Sequence, residues 1–325
     1  MQIGNDSARE ALAAAMASGA LHHAWLIAGP HGVGKGTFAR QAALRMLAEA
    51  AEPDTLAPGW DVPESTRTAH YASSGAHPDY RELARLPKDA DKPDEALARS
   101  ITIAQVRSLQ AMFANKPSLS SRRVIVIDAI DDLERAGANA LLKSLEEPPQ
   151  GTIFLLVSHS PGRLLPTIRS RCRLLRFEAL APSQVAPIVR QHLPEATNAE
   201  IDALVRAGEG SPGRALGFAG LDLAALEAEM NALADTGDAS NVIRSRLSKQ
   251  LGLKAAQPRY EAFLDRAPTF IAERARVANG EGLRTALDAY AAARELTASA
   301  LGLSLDASGT VFEMSGLIAR LAPRI

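Results

Sequence analysis

The sequence predicts an α/β protein: a mostly parallel sheet covered by helices, followed by a purely helical tail. Three observations predict it. Up to about residue 178, short β-branched runs ("VIVID" at 124–128, "TIFLLVS" at 152–158, "RLLRF" at 173–177) alternate with helical patterns, and apolar runs that short, separated by helices, imply a parallel sheet buried on both faces. After Phe177 no strand pattern occurs. Leu223, Leu226, Met230 and Leu233, like Leu283, Leu287 and Tyr290, fall instead at helical spacing. The composition agrees: aromatic residues make up only 4% and alanine is abundant, which favours helix.

The elements follow in chain order. Residues 24–38 read "AWLIAGPHGVGKGTF". Trp25 to Ala28 can be a buried strand, and from Lys35 onward the chain reads as a helix whose N-terminus would present free N–H groups to an anion. The fingerprint of a phosphate-binding loop is Gly, four residues, then Gly-Lys-Ser/Thr, with backbone N–H groups cradling phosphate and the hydroxyl ligating Mg²⁺. Gly29, Gly34 and Lys35 fit; Gly36 stands at the hydroxyl position, and Thr37 comes one residue late. A Gly-rich turn met by chance is the other reading. From Ala51 to Ala98, Pro, Asp and Ser are frequent and the middle reads as loop.

The run "RRVIVIDAIDDLERAGANALLKSLEEPP" (122–149) places Asp128 at a strand end, where P-loop NTPases hold their metal, and Ala129 where a water-activating Glu usually follows. Asp131 and Asp132 suit N-terminal capping of the next helix. The metal hydroxyl and the catalytic carboxylate are thus both missing, which argues for an inactive ATPase. Ser158-His159-Ser160 ends another strand, at the edge where ligands meet such sheets. Ser170-Arg171-Cys172 then presents an arginine on a rigid element: an arginine finger for a neighbour's γ-phosphate, or one member of a solvated basic edge with Arg169, Arg173 and Arg176. Residues 179 to about 219 read as a small helical unit with Pro182 near a helix start, and the tail from 220 as a helical bundle with Leu226 and Leu287 buried in it.

Length and charge bound the function. At 325 residues two or three domains are expected, divided here at 1–178, 179–219 and 220–325. A net charge of -1 gives no global field for DNA or an anionic membrane. One cysteine, Cys172, excludes an internal disulfide framework and a cysteine-rich zinc site. The first residues lack the pattern of a secretory signal and no run reaches membrane-spanning length, so a cytoplasmic protein without membrane partners is expected.

The succession of "GPHGVGKG", "GAHPDY" (75–80), "VIVIDAIDDLERAGANALLKSLEEPP", "SRC" and "GEGSPGRAL" resembles the bacterial clamp-loader branch of the AAA+ proteins, most closely the delta-prime subunits of DNA polymerase III. These motifs cover residues 22 to about 217; the tail contributes length and helicity only. The resemblance implies an AAA+ core over 1–178, a helical lid over 179–219, and a helical collar over 220–325 through which five subunits form a ring. It implies partners: the delta and tau or gamma subunits, and through the complex the sliding clamp and primer-template DNA. It also implies the job, a stator without ATPase activity of its own in the apparatus that loads the clamp for a DNA-directed DNA polymerase.

Position by position, Gly29, Gly32, Gly34, Lys35, Gly36 and Thr37 match the nucleotide loop, Asp128 the metal-binding Asp, and Arg171 the finger acting in trans. Many relatives carry a four-cysteine zinc module before "HPDY"; none is present here, so no zinc is expected and residues 51–76 must be held by other means. Where active relatives place a lid arginine that senses phosphate, this chain has Gly213, with Arg214 one residue late and turned by about 100 degrees. No cofactor is required by this reading, and ATP or ADP binding without turnover is compatible with it. Lys143 is a candidate for DNA contact through the ring interior, or a solvent-facing partner of Asn139 or Glu147. The alternatives are an active AAA+ ATPase, opposed by Ala129, a nucleoside monophosphate kinase with the related "GVGKGT" loop, opposed by the long helical tail, and a protein-binding scaffold without any nucleotide relation, which would leave Lys35 and Arg171 without roles.

Overall fold

The computed structural model describes residues 4–89, 91, 97–303 and 305–323; of the segment read as loop, positions 90 and 92–96 lie outside the described residues. The chain divides into two compact units, residues 1–188 with 210–213, and residues 189–209 with 214–325. Residues 179–219 are therefore distributed over both.

In the first unit the order is α1 (Asp6–Ala17), β1 (Ala24–Ala28), α2 (Lys35–Ala51), α3 (Arg67–Ser73), β2 (Tyr80–Ala84), α4 (Ile103–Phe113), β3 (Arg123–Asp128), α5 (Arg135–Glu146), β4 (Thr152–Ser158), α6 (Pro166–Arg169), β5 (Arg173–Arg176) and the first part of α7 (Pro182–His192), whose last residues count with the second unit. The five strands form one sheet in the order β2-β3-β4-β1-β5, every pair parallel. Because side chains alternate across a strand, each strand feeds two cores. Trp25, Ile27, Val124, Val126, Leu155 and Val157 pack with Phe38, Ala42 and Met46 of α2. Leu26, Ile125, Ile127, Phe154 and Leu156 pack on the opposite face with Val106 and Leu109 of α4 and Leu141 and Leu145 of α5. The strands at 124–128, 152–158 and 173–177 fall where the sequence places them. Strand β2, half-buried at the sheet's edge, carries no long apolar run and was not legible as a strand.

Residues 51–76, without a zinc module, are held by side chains bonded to backbone. The Glu52 carboxylate accepts from the Arg67 and Thr68 amides and from the Thr68 hydroxyl, which fixes the start of α3. The Arg45 guanidinium, buried, donates to the carbonyls of Ala57 and Asp61, and Trp60 lies edge-on to Phe38 at 5.0 Å. The "HPDY" element is structural as well. Asp79 is fully buried, and its carboxylate accepts from the amides of Ser118 and Leu119 at 2.7–2.8 Å, with Arg123 at 4.0 Å. A buried carboxylate satisfied in this way ties β2 to the approach to β3.

The second unit contains α8 (Asn198–Gly208), α9 (Pro212–Gly217, shared at the boundary), α10 (Leu223–Thr236), α11 (Val242–Leu251), α12 (Gln257–Val277), α13 (Gly280–Leu303) and α14 (Ala307–Ala319). Its core joins Leu226, Met230 and Leu233 with Phe263, Phe270 and Ile271 of α12 and Val311, Met314 and Ile318 of α14. One expectation is corrected here: Leu287 is 53% exposed. Helix α13 turns Ala286, Ala289 and Ala293 inward instead, a stripe of small side chains spaced three and four apart that lets α12 and α13 approach closely. Leucine spacing alone selected the wrong face.

Candidate functional site

The parallel registers bring the carboxyl ends of the strands to one edge: Ala28 lies opposite Ser158, and Ala84 opposite Asp128. The loop of residues 29–34 leaves β1 at this edge and enters α2, the arrangement that points a helix N-terminus at an anion. Gly32 and Gly34 adopt positive φ of 75° and 92°, a backbone that favours glycine. A side chain at Gly29 would overlap the carbonyl of Phe177. The loop therefore keeps the shape of a phosphate cradle.

Its occupants are rearranged. Lys35, only 2% exposed, donates to the carbonyl of Gly29 at 2.7 Å and to that of Pro30. Burial pulls its pKa down to about 8, against the pull of Asp128 and Asp131. Beside it Gly36 sits so close to Asp128 that a β-carbon would overlap the carboxylate. Asp128 accepts from Nη2 of Arg40 at 3.0 Å, and the same guanidinium grips Glu82 of β2 through Nε and Nη2 at 2.7–3.1 Å. Tyr80 donates its hydroxyl to Glu82 at 3.0 Å. Ala129 follows Asp128 and is buried. Thr37, the displaced hydroxyl, is exposed.

Asp131 corrects the capping assignment. Rather than capping a helix, it accepts from the Ser158 hydroxyl and from the amides of His159 and Ser160 at 2.7–3.1 Å, fixing the turn that leaves β4. Asp132 pairs with Arg85 at 3.1 Å. The His159 ring packs edge-on to His31 at 4.6 Å, and its pKa falls to about 4 through burial and the nearby Lys35 and His31.

The loop is also closed from the other side. Ser211, buried, donates to the His31 carbonyl at 2.8 Å, and the Gly213 amide to the Gly32 carbonyl at 2.9 Å. A β-carbon at Gly213 would stand 2.9 Å from the Gly32 α-carbon, so only glycine permits this approach. Arg214 belongs to the second unit, where it pairs with Glu209 and with Asp265 at 2.6 Å.

Arg171 follows α6, on the approach to β5. Its guanidinium pairs with Glu146 at the end of α5 at 2.8 Å and donates to the Thr167 carbonyl at 2.8 Å. Arg169, Arg173 and Arg176 are exposed nearby. Lys143 is exposed on α5. The sequence reading missed Arg40 and Glu82. Arg40 lies one helical turn beyond Gly36, a signal that was available; Glu82 needed β2 to be recognised.

A model of the family described as "DNA polymerase III, delta subunit" matches residues 4–181, more than half of the chain, and the chain belongs to that family. It is similar to the DNA polymerase III subunit delta' of Pseudomonas aeruginosa, 33% identical over 58% of this chain and 53% of that one. It is likewise similar to the subunit delta' of Escherichia coli K12, 32% identical over 69% of this chain and 63% of that one, and to the subunit tau of the same organism, 30% identical over 64% and 30%. The matched region thus spans about half to under two thirds of the delta' relatives. The first unit is an α/β fold, a five-stranded parallel sheet with helices on both faces. Among the described residues no helix is long and apolar enough to cross a membrane.

Proposed function

We propose that the chain is a delta-prime-like subunit of a DNA polymerase III clamp loader, a stator that turns over no ATP itself and completes a neighbour's ATP site with Arg171. The observation that carries the first half is the state of Asp128. The acid that would hold a metal, Asp128, is bonded to Arg40, Gly36 in the cradle has no hydroxyl, and Ala129 after the acid has only a methyl group. No side chain is left at those positions to ligate Mg²⁺ from the helix or to activate water.

The second half rests on Arg171 and its surroundings. A guanidinium keeps its charge at any working pH and offers two parallel N–H groups to phosphate oxygens. Glu146 and the Thr167 carbonyl hold it in one orientation at the surface, and exchanging one exposed carboxylate for a phosphate is an inexpensive step. The proposed ring partners are the delta and tau or gamma subunits, with the sliding clamp and primer-template DNA engaged through the assembled complex and the second unit's helices serving as the collar. Reconstitution tests the reading: with Arg171→Ala the ring should assemble but load clamps slowly, while Arg173→Ala should behave as the unaltered chain. Equal slowing by both variants, or no slowing by either, removes the finger assignment.

A further inference from the structure

The Arg40 guanidinium stands between three features of the loop. Nε and Nη2 clasp Glu82, and Nη2 also reaches Asp128. The remaining nitrogen, Nη1, lies 3.2 Å from where a β-carbon on residue 36 would stand. In a phosphate-binding loop the hydroxyl at position 36 and the acid at position 128 are the protein's ligands for Mg²⁺. Arg40 therefore fills the ground between those two positions. Its positive charge neutralises the carboxylates a metal would need, and two cations at that spacing would repel. The hydrogen bonds Arg40 donates to Glu82 raise its pKa further, so the guanidinium stays charged.

We infer that Arg40 takes the place of the divalent cation in this loop: it is the permanent counter-charge of Asp128 and Glu82, the site accepts no divalent metal ion, and a nucleotide that reaches the cradle binds metal-free. The inference rests on reading the loop as a degenerate nucleotide site, and it concerns the ion rather than turnover.

Mn²⁺ is the probe, counted by the electron paramagnetic resonance of the free ion in the presence of the full chain, with and without ADP. The unaltered chain should hold no stoichiometric Mn²⁺ up to about 1 mM, and ADP should bind no more tightly in Mn²⁺ than in EDTA, since Mn²⁺ only withdraws metal-free ADP from solution. Arg40→Ala and Arg40→Gln, which leave Asp128 and Glu82 facing each other without a cation, should each take up one Mn²⁺ at least about tenfold more tightly. Adding Asp128→Asn should abolish that uptake, and Arg40→Lys, which keeps the charge, should not gain it. Circular dichroism identifies a variant that has lost its fold, in which case the other substitution and the unaltered chain decide. Stoichiometric Mn²⁺ on the unaltered chain, ADP binding tightened by Mn²⁺, or folded Arg40 variants that gain no Mn²⁺ would overturn the inference. A chain that binds Mn²⁺ yet hydrolyses nothing would overturn it alone and leave the proposed function standing.

Discussion

Two arginines of the first unit are each paired with carboxylate, and what distinguishes them is the number and burial of those carboxylates rather than the exposure of the arginines. Arg40 is held by two carboxylates, Glu82 and Asp128, on two adjacent strands. Displacing it would strand both acids in a site where Lys35 is already buried and bonded to the loop's own carbonyls. Arg171 is held by one carboxylate, Glu146, itself about half exposed. Surface pairs of that kind contribute roughly 0–1 kcal/mol, so a phosphate can take the carboxylate's place. On the proposed reading, one arginine closes a site on its own chain and the other is available to a neighbour.

The largest effect expected from this contrast is kinetic. If Arg171 completes a neighbour's ATP site as proposed, Arg171→Ala should slow hydrolysis at that site by about 10³- to 10⁵-fold, the usual contribution of an arginine finger, read as pre-steady-state hydrolysis in the reconstituted ring. The steady-state loss for the whole complex will be smaller where other sites keep their own arginines. No change at any site would mean that Arg171 belongs to the basic edge alone.

Next in size is a pair of substitutions in the second unit. Leu226→Ala should cost about 2–5 kcal/mol in urea unfolding, because Leu226 is 1% exposed within the helical core. Leu287→Ala should change stability by less than about 0.5 kcal/mol, its side chain being on the solvent side of α13. Similar costs at the two positions would show that α13 presents a different face.

That pair also marks where the sequence was legible. The strands were readable because β-branched runs buried on both faces have few alternatives, and the loop was readable because its glycines answer to a backbone requirement at Gly32 and Gly34. The missing hydroxyl at Gly36 and the missing carboxylate at Ala129 could be read directly. What could not be read was interaction at a distance. Arg40 and Glu82 are 42 residues apart and Arg40 and Asp128 are 88 apart; no local pattern announces that they meet. In α13, alanine and leucine both fit a helical stripe, and only packing against α12 decided that the alanines face inward. Asp131 likewise looked like a cap, and its partners on the turn after β4 became apparent only in three dimensions.

A smaller effect comes from Glu146→Ala. Releasing Arg171 from its ion pair should cost about 0–1 kcal/mol and leave stimulated hydrolysis within about twofold; a collapse of activity would mean that Glu146 is required to aim the guanidinium. The last concerns pH. The pKa of His159 is about 4 in the fold against an ordinary 6.5, so the unfolded chain binds the extra proton first as pH falls. Its contribution to stability is complete above about 6.5 and is lost as pH falls toward 4. Comparing urea unfolding at pH 7 and pH 5, His159→Gln should reduce the pH dependence; an unchanged slope would show that the His159 ring is not held neutral.

The central claim, that this chain keeps the form of an ATP site without its chemistry, is tested most directly by incubating the isolated protein with Mg²⁺ and radiolabelled ATP and measuring phosphate release. With Arg40 on Asp128 and a methyl group at Ala129, release should not exceed that of buffer alone. Turnover approaching the ordinary enzymatic range, about 1 per second or more, abolished by Lys35→Ala, would contradict the account.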